Sequence, residues 1–265
     1  MNSARKLAYP SLPEQNSKLP RLLEVIAKRL ITPNMLRVTL GGVGMNGFPN
    51  GQEGGYVKLH LPPLDTLTKP LVRTYTISEQ REREIDLDFA LHGETATGTA
   101  GPATDWATQT KPGDQIAVSG PGPSKPLPPD KRFYLVLGDM TSLPAIAVHL
   151  KNLAADAKGL VFLEVLSAKD RQYLRHPRQV QVQWVVNPDL GRASVLPKFV
   201  SNVDWMEDGI FVWCACEFSS MKAVRAQLTP LRAPSSDWLY ISSYWKSGLT
   251  EDEHKKVKRD DAQMQ

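Results

Sequence analysis

The tetrapeptide Arg73–Thr74–Tyr75–Thr76 holds the residue types in this chain that most directly suggest chemistry. In a strand, alternation puts Arg73 and Tyr75 on one face and Thr74 and Thr76 on the other. A guanidinium suits a phosphate, and an aromatic plane beside it suits a ring system. An ordinary strand with a surface salt bridge explains the same four residues. A second segment, ALHGETATGTAGPATDWA at 90–107, ends a strand at His92 and Gly93 and enters a helix through Gly101, Pro102 and Ala103. Free N–H groups and the positive end of the helix dipole make such a start an anion site, and proline is compatible with a first helical turn. The bland alternative is a capped helix in a hairpin connection. Together, one arginine and one helix mouth can grip a single diphosphate.

A third segment, Gly138 to Pro144 (GDMTSLP), follows the apolar run FYLVLG. Such a strand-to-helix turn lies where α/β sheets place ligands. It is not a GxGxxG fingerprint, and no acidic residue about twenty positions on matches a ribose site cleanly, Glu164 being the nearest candidate. The only cysteines, Cys214 and Cys216, fall in the run FVWCACEF. They are expected to point to opposite faces of a strand, to stay unbridged, and to serve as buried structural thiols rather than metal ligands.

The elements that must position these residues fall into two halves. Over 20–122 apolar residues alternate in short runs, with strands expected at Leu22–Leu30, Met35–Gly41, Gly55–Leu61, Val72–Ser78, Ile85–Leu91 and Gln115–Gly120. The turn TPNM at 32–35 joins the first two as the start of a meander, and one helix is expected at Ala103–Thr110. The segment GPGPSKPLPPDKR at 120–132 carries five prolines and two glycines and is expected to be a linker, neither helix nor central strand. Beyond it, continuous apolar strands alternate with helices: Phe133–Gly138, Leu143–Ala155, Gly159–Leu166, Val180–Val186, Ala193–Val200, Gly209–Ala215, Ser219–Leu228, Trp238–Ser242 and Thr250–Asp260. That rhythm predicts a parallel sheet covered on both faces. The fold expected is an antiparallel six-stranded β-barrel over 18–124 followed by an α/β domain over 130–265.

Composition excludes several classes. Apolar residues at 41% and charged residues at 23% are ordinary globular values, which argues against disorder or a fibre. The 32 basic residues exceed the 28 acidic ones by only four. The densest basic run, around His254–Arg259, is flanked by acids and is expected to be a solvated terminal helix rather than a nucleic-acid track. No run approaches eighteen apolar residues, and the N-terminal segment lacks a secretory core, so a cytoplasmic monomer without membrane insertion is expected.

The motifs RTYT, LHG, GPATDWA, PGDQIAVSGPG, LVLGDMTSLPA and YWKSGLTEDE stand in one order across residues 73–253. In that order and spacing the chain resembles the siderophore-interacting proteins, a branch of the ferredoxin–NADP reductase-like superfamily. The resemblance implies an FAD-binding barrel followed by a nicotinamide-binding-type domain. It implies that Arg73 meets an FAD phosphate, that Tyr75 packs on the isoalloxazine or ribityl chain, and that Thr76 brings a hydroxyl near flavin N5. Thr74, Asp88 and Phe89 join the same cofactor set. His92 and the backbone at Gly101, Pro102 and Ala103 would hold the diphosphate, with Trp106 behind them and Asp139 and Thr141 near the adenine end. Lys58, Lys125 and Lys246 would surround the open flavin face, a cationic cleft for trianionic ferric catecholates; three snorkelling surface lysines are the plain alternative. Tyr244 and Trp245 either shelter the flavin or pin the C-terminal segment.

The implied reaction is reduction of Fe(III) in a ferric siderophore to the more weakly held Fe(II), with electrons passing through FAD. NAD(P)H and a reduced ferredoxin stand as alternative donors, because WVVNPD at 184–189 departs from the Trp-x-x-Arg run expected of NADPH users. A general NAD(P)H–flavin or ferredoxin reductase and a non-enzymatic siderophore-binding module remain rival readings.

Overall fold

The computed structural model describes residues 19–61, 71–91, 101–189, 194–201, 203, 205, 209–231, 235 and 237–263. Six antiparallel strands close a barrel: β1 (Arg21–Thr32), β2 (Met35–Gly41), β3 (Tyr56–Leu61), β4 (Leu71–Arg81), β5 (Glu84–Ala90) and β6 (Gln115–Gly122). Their spatial order is β1-β2-β5-β4-β3-β6, with β6 returning to β1. The β1–β2 hairpin forms as expected, but the meander ends there, because β2 pairs with β5 rather than β3. Alternation aims Leu23, Val25, Val38, Leu40, Val57, Leu59, Ile77, Ile85, Leu87 and Phe89 inward, all fully buried. The α-helix of the barrel half, α1 (Pro102–Gln109), adds Ala103 and Ala107 to that core.

The proline-rich connection differs from a free linker. β6 continues through Pro121 to Gly122, and the residues beyond it are packed down. Leu127 is buried in the core of the second domain, the Lys125 carbonyl accepts from Trp213 Nε1 at 2.9 Å, and the Pro128 carbonyl accepts from the Tyr134 hydroxyl at 2.5 Å.

The second domain contains β7 (Phe133–Gly138), α2 (Leu143–Lys151), β8 (Lys158–Val165), β9 (Gln179–Val186), α3 (Leu196–Val200), β10 (Ile210–Glu217), α4 (Phe218–Leu228), β11 (Leu239–Trp245) and α5 (Glu251–Gln263). The sheet is parallel in the order β11-β10-β7-β8-β9. All eight residues of β10 are buried, as a central strand covered on both faces requires. One apolar layer joins Val136, Ile146, Val161, Leu163 and Trp213; the other joins Leu135, Leu137, Val212, Met221, Val224 and Leu228. Cys214 and Cys216 both belong to the second layer, with their sulfurs 3.9 Å apart. The expectation of opposite faces is therefore wrong: a period of two returns residue i+2 to the face of residue i. Both are free, buried thiols, and among the described residues no cluster of ligating side chains suits a metal ion.

The charged C-terminal helix is less solvated than its composition suggests. His254 and Asp261, seven residues apart on one stripe, are buried. His254 Nε2 meets the Ser243 hydroxyl at 2.7 Å, and Asp261 takes both guanidinium nitrogens of Arg225 at 2.8 Å. The two domains also share contacts. Met35 of β2 packs into the α/β core, and buried Asp170 accepts from Thr32 Oγ1, Asn34 N and Asn34 Nδ2 at 2.8–2.9 Å.

On the barrel wall, Asp86 accepts from Arg81 at 2.7 Å and from Thr39 at 2.7 Å, with Arg37 at 3.4 Å. Burial alone would raise this carboxyl, but the hydrogen bonds from Arg81 and Thr39 and the charge of Arg37 outweigh it and hold it below its ordinary value. A depressed folded-state acid stabilises the fold above its unfolded pKa and loses that contribution as pH falls through the folded value. Asp86→Asn is expected to lower stability by about 1–2 kcal/mol at pH 7. Urea melts in a pH series should show the deficit shrinking below about pH 4.

Candidate functional site

Strand β4 is held by two different neighbours along its length. Residues 71–76 pair with β3, whereas pairing with β5 begins only at Ile77. Among the described residues, the far edge of 71–76 is thus open, with the N–H groups of Thr74 and Thr76 directed away from β3. Register places Arg73 opposite Leu59 and Tyr75 opposite Val57, both interior residues, while Thr74 faces Lys58 and Thr76 faces Tyr56 on the outer side. The predicted division of RTYT into two faces holds.

Tyr75 stacks toward Phe89 with centroids 4.1 Å apart, and Phe89 lies 5.8 Å from Trp106 of α1. This aromatic column ties β4, β5 and α1 together. Burial drives the Tyr75 hydroxyl far above its usual pKa; nearby Arg73 opposes this and Glu251 adds to it, so the ring stays neutral. Arg73 Nη1 donates to its neighbour's carbonyl, Val72 O, at 2.9 Å. Phe89 is a core residue supporting Tyr75. Asp88 is committed elsewhere, since both its oxygens take Arg37 at 2.6 and 2.8 Å. Phe89 thus packs under Tyr75, whereas Asp88 is tied to Arg37 on β2.

The α1 helix begins at Gly101, whose extended backbone provides no side-chain cap, with Pro102 in the first turn. Among the described residues, a Cβ added at Gly101 would meet nothing within 4 Å. Uncapped first-turn N–H groups are what an anion needs. His92 and Gly93, named from sequence, lie outside the described residues.

The carboxyl end of the parallel sheet is occupied by the protein's own carboxylates. Asp139 directly follows β7 at the point where the strand order reverses between β7 and β10. One of its oxygens accepts from Thr141 N (2.9 Å) and Thr141 Oγ1 (2.6 Å), the other from Glu217 N and Trp245 Nε1 (both 2.9 Å). Burial raises its pKa, a shift that the four donors oppose without cancelling. Asp139 and Thr141 thus face each other, and Trp245 is pinned to the core through Asp139. Glu164, the ribose candidate, is also turned inward: it accepts from Val195 N at 2.6 Å and Ser194 Oγ at 3.0 Å. Glu217 caps α4 through Ser219 N and Ser220 N.

Of the three lysines, Lys58 and Lys125 are exposed, and Lys246 places its ammonium 4.4 Å over the Phe218 ring. One residue that sequence reasoning missed belongs with them. Glu251, the first residue of α5, accepts from both Thr74 N and Thr74 Oγ1 at 3.1 Å. Its partner is 177 residues away, so only the fold reveals the pair.

A closed antiparallel barrel with an open strand edge, joined to a five-stranded parallel sheet, defines the class of ferredoxin–NADP reductase-type folds. Ferredoxin–NADP+ reductase of Plasmodium falciparum (H286L mutant) superposes with a TM-score of 0.67 over 86% of this chain and 97% of its own, at 15% identity, a likeness of fold. Within that class, residues 131–248 match the siderophore-interacting protein model and residues 64–125 the siderophore-interacting FAD-binding domain. Ferric vibriobactin reductase ViuB of Vibrio cholerae is 32% identical over 253 residues, 88% of this chain and 92% of that one. The siderophore-interacting protein SipS of Aeromonas hydrophila superposes with a TM-score of 0.81 at 29% identity, covering 93% and 99% of the two chains. The chain belongs to the siderophore-interacting protein family.

Proposed function

We propose that this chain is an FAD-dependent reductase that converts Fe(III) in ferric siderophores to Fe(II) in the cytoplasm, taking electrons from NAD(P)H or a reduced ferredoxin. The observation that carries the reading is the open edge of β4 at RTYT, linked to α1 through the Tyr75–Phe89–Trp106 ring contacts. The residues present fit FAD. Arg73 and the N–H groups after Gly101 suit a diphosphate; the outward-directed N–H and C=O groups of Thr76 suit the polar rim of a flavin; Tyr75, backed by Phe89, supplies a flat neutral surface. When bound, FAD supplies the exchange between two-electron and one-electron chemistry that a metal acceptor needs.

The chain's own residues then bind and orient. Lys58, Lys125 and Lys246 draw an anionic ferric complex toward the barrel's outer face, and Thr76 offers a hydroxyl beside Thr74 on that face. The Fe(III) is substrate, and its release follows from the weaker hold of hard oxygen ligands on Fe(II). The name of the Vibrio relative, a ferric vibriobactin reductase, supports this assignment of substrate class. The test is anaerobic: the purified yellow holoprotein is mixed with a ferric siderophore and NADH, NADPH or reduced ferredoxin, in the presence of a ferrous chelator. Ferrous colour with one donor supports the reading; flavin that stays oxidised with all three overturns it.

Lys58→Glu and Lys246→Glu are each expected to raise KM for a trianionic ferric catecholate on the order of tenfold at low salt, with a smaller change for a neutral ferric hydroxamate. Steady-state kinetics on both substrates measure this, and equal losses on the two would remove the cationic cleft.

A further inference from the structure

We infer that Glu251 sets the charge preference of the site, acting as a fixed negative counterweight to the lysines that attract anionic ferric complexes. The inference rests on the proposed reductase function.

Glu251 is held from both sides. A reciprocal cap fixes the start of α5: Thr250 N and Oγ1 donate to Glu253 at 2.8 Å, and Glu253 N donates back to Thr250 Oγ1 at 3.4 Å. Farther along, Lys258 donates to Ser242 Oγ at 2.7 Å, and His254 meets Ser243. The helix is therefore anchored on the α/β domain, and Glu251 reaches from it to the barrel. There its carboxylate takes the N–H and the hydroxyl of Thr74 on the open edge of β4. Thr74 is the register partner of Lys58. Lys246 belongs to the connection that leads directly into α5, with Leu249 N bonded to Lys246 O at 3.2 Å. Glu251 thus links the register partner of Lys58 to the helix that follows Lys246, and its side chain is only 15% exposed. Lys255 holds it at 2.9 Å from the outer, more exposed side.

A carboxylate so placed repels each additional negative charge on an incoming complex while leaving neutral ones untouched, so it discriminates by charge rather than by shape. It acts on the substrate through its field and is a specificity-determining residue.

The experiment uses the oxidised holoprotein and reads binding from flavin fluorescence, with no electron donor present. The probes are a trianionic ferric tris-catecholate and a neutral ferric trihydroxamate. Glu251→Gln keeps an acceptor for Thr74 and removes the charge. It is expected to tighten the tris-catecholate about fivefold at low ionic strength and to leave the trihydroxamate within about twofold, the gap closing at high salt. Lys255→Ala, which exposes the charge of Glu251, is expected to shift the tris-catecholate the opposite way. Equal shifts for both probes, or none in either variant while wild type binds both, would overturn the inference and leave the reductase reading standing. Wild-type protein that binds neither probe would overturn both.

Discussion

Arg73→Ala is expected to purify with most of its FAD missing and to rebind added FAD about 30-fold more weakly than wild type, the loss of a charge-assisted hydrogen bond to phosphate. Arg73 stands on the one stretch of β4 that has no strand on its second edge, one residue before the Thr74 donors and two before Tyr75. Among the described residues its guanidinium donates to the carbonyl of Val72 alone, and the remaining fork suits a ligand phosphate. Arg73→Lys keeps the charge without the fork and is expected to fall between the two. The ratio of flavin to protein absorbance reports occupancy, and titration of stripped protein reports affinity. Undiminished occupancy in Arg73→Ala would show that the diphosphate is gripped elsewhere.

The second large effect concerns stability. Asp139→Asn is expected to cost about 3 kcal/mol, a fall of about 8 °C in the melting temperature. The carboxylate of Asp139 offers two acceptor oxygens to four donors drawn from its own turn, from Glu217 at the end of β10, and from Trp245 at the end of β11. Asparagine retains one acceptor and turns an NH2 group toward donors that have no other role for it, at a site shielded from water. Three strand ends lose their common anchor at once. Thermal melts of holoprotein measure the change; a shift under 2 °C (about 1 kcal/mol) would show that water or a rotated amide replaces the lost bonds.

Asp139 also shows where sequence and structure part. Strand positions such as Met35–Gly41 and Phe133–Gly138 were legible, because apolar period and bracketing turns are local signals. The pairing of β2 with β5 was not, since alternation says which face a residue takes but not which strand lies beside it. A polar residue directly after a parallel strand looks like a ligand contact, and Asp139, Thr141 and Glu164 all have that appearance. Thr141 instead donates to Asp139. Asp139 and Glu164 accept donors from segments distant in sequence, Glu217 and Trp245 for one and Ser194 and Val195 for the other, which no spacing rule anticipates. The two faces of RTYT were legible because alternation among four neighbours is a local signal. The Glu251–Thr74 pair was not, because each half is unremarkable alone. The cysteine orientation was open to correct reading from alternation itself.

The carboxylate of Asp170 receives three donors from the β1–β2 turn, out of contact with solvent. A hinge that swung one domain from the other would have to break all three, charge-assisted bonds worth about 1.5–3 kcal/mol each. Traffic of bulky iron complexes is therefore expected to proceed by local yielding at the rim, with the halves travelling as a single rigid piece.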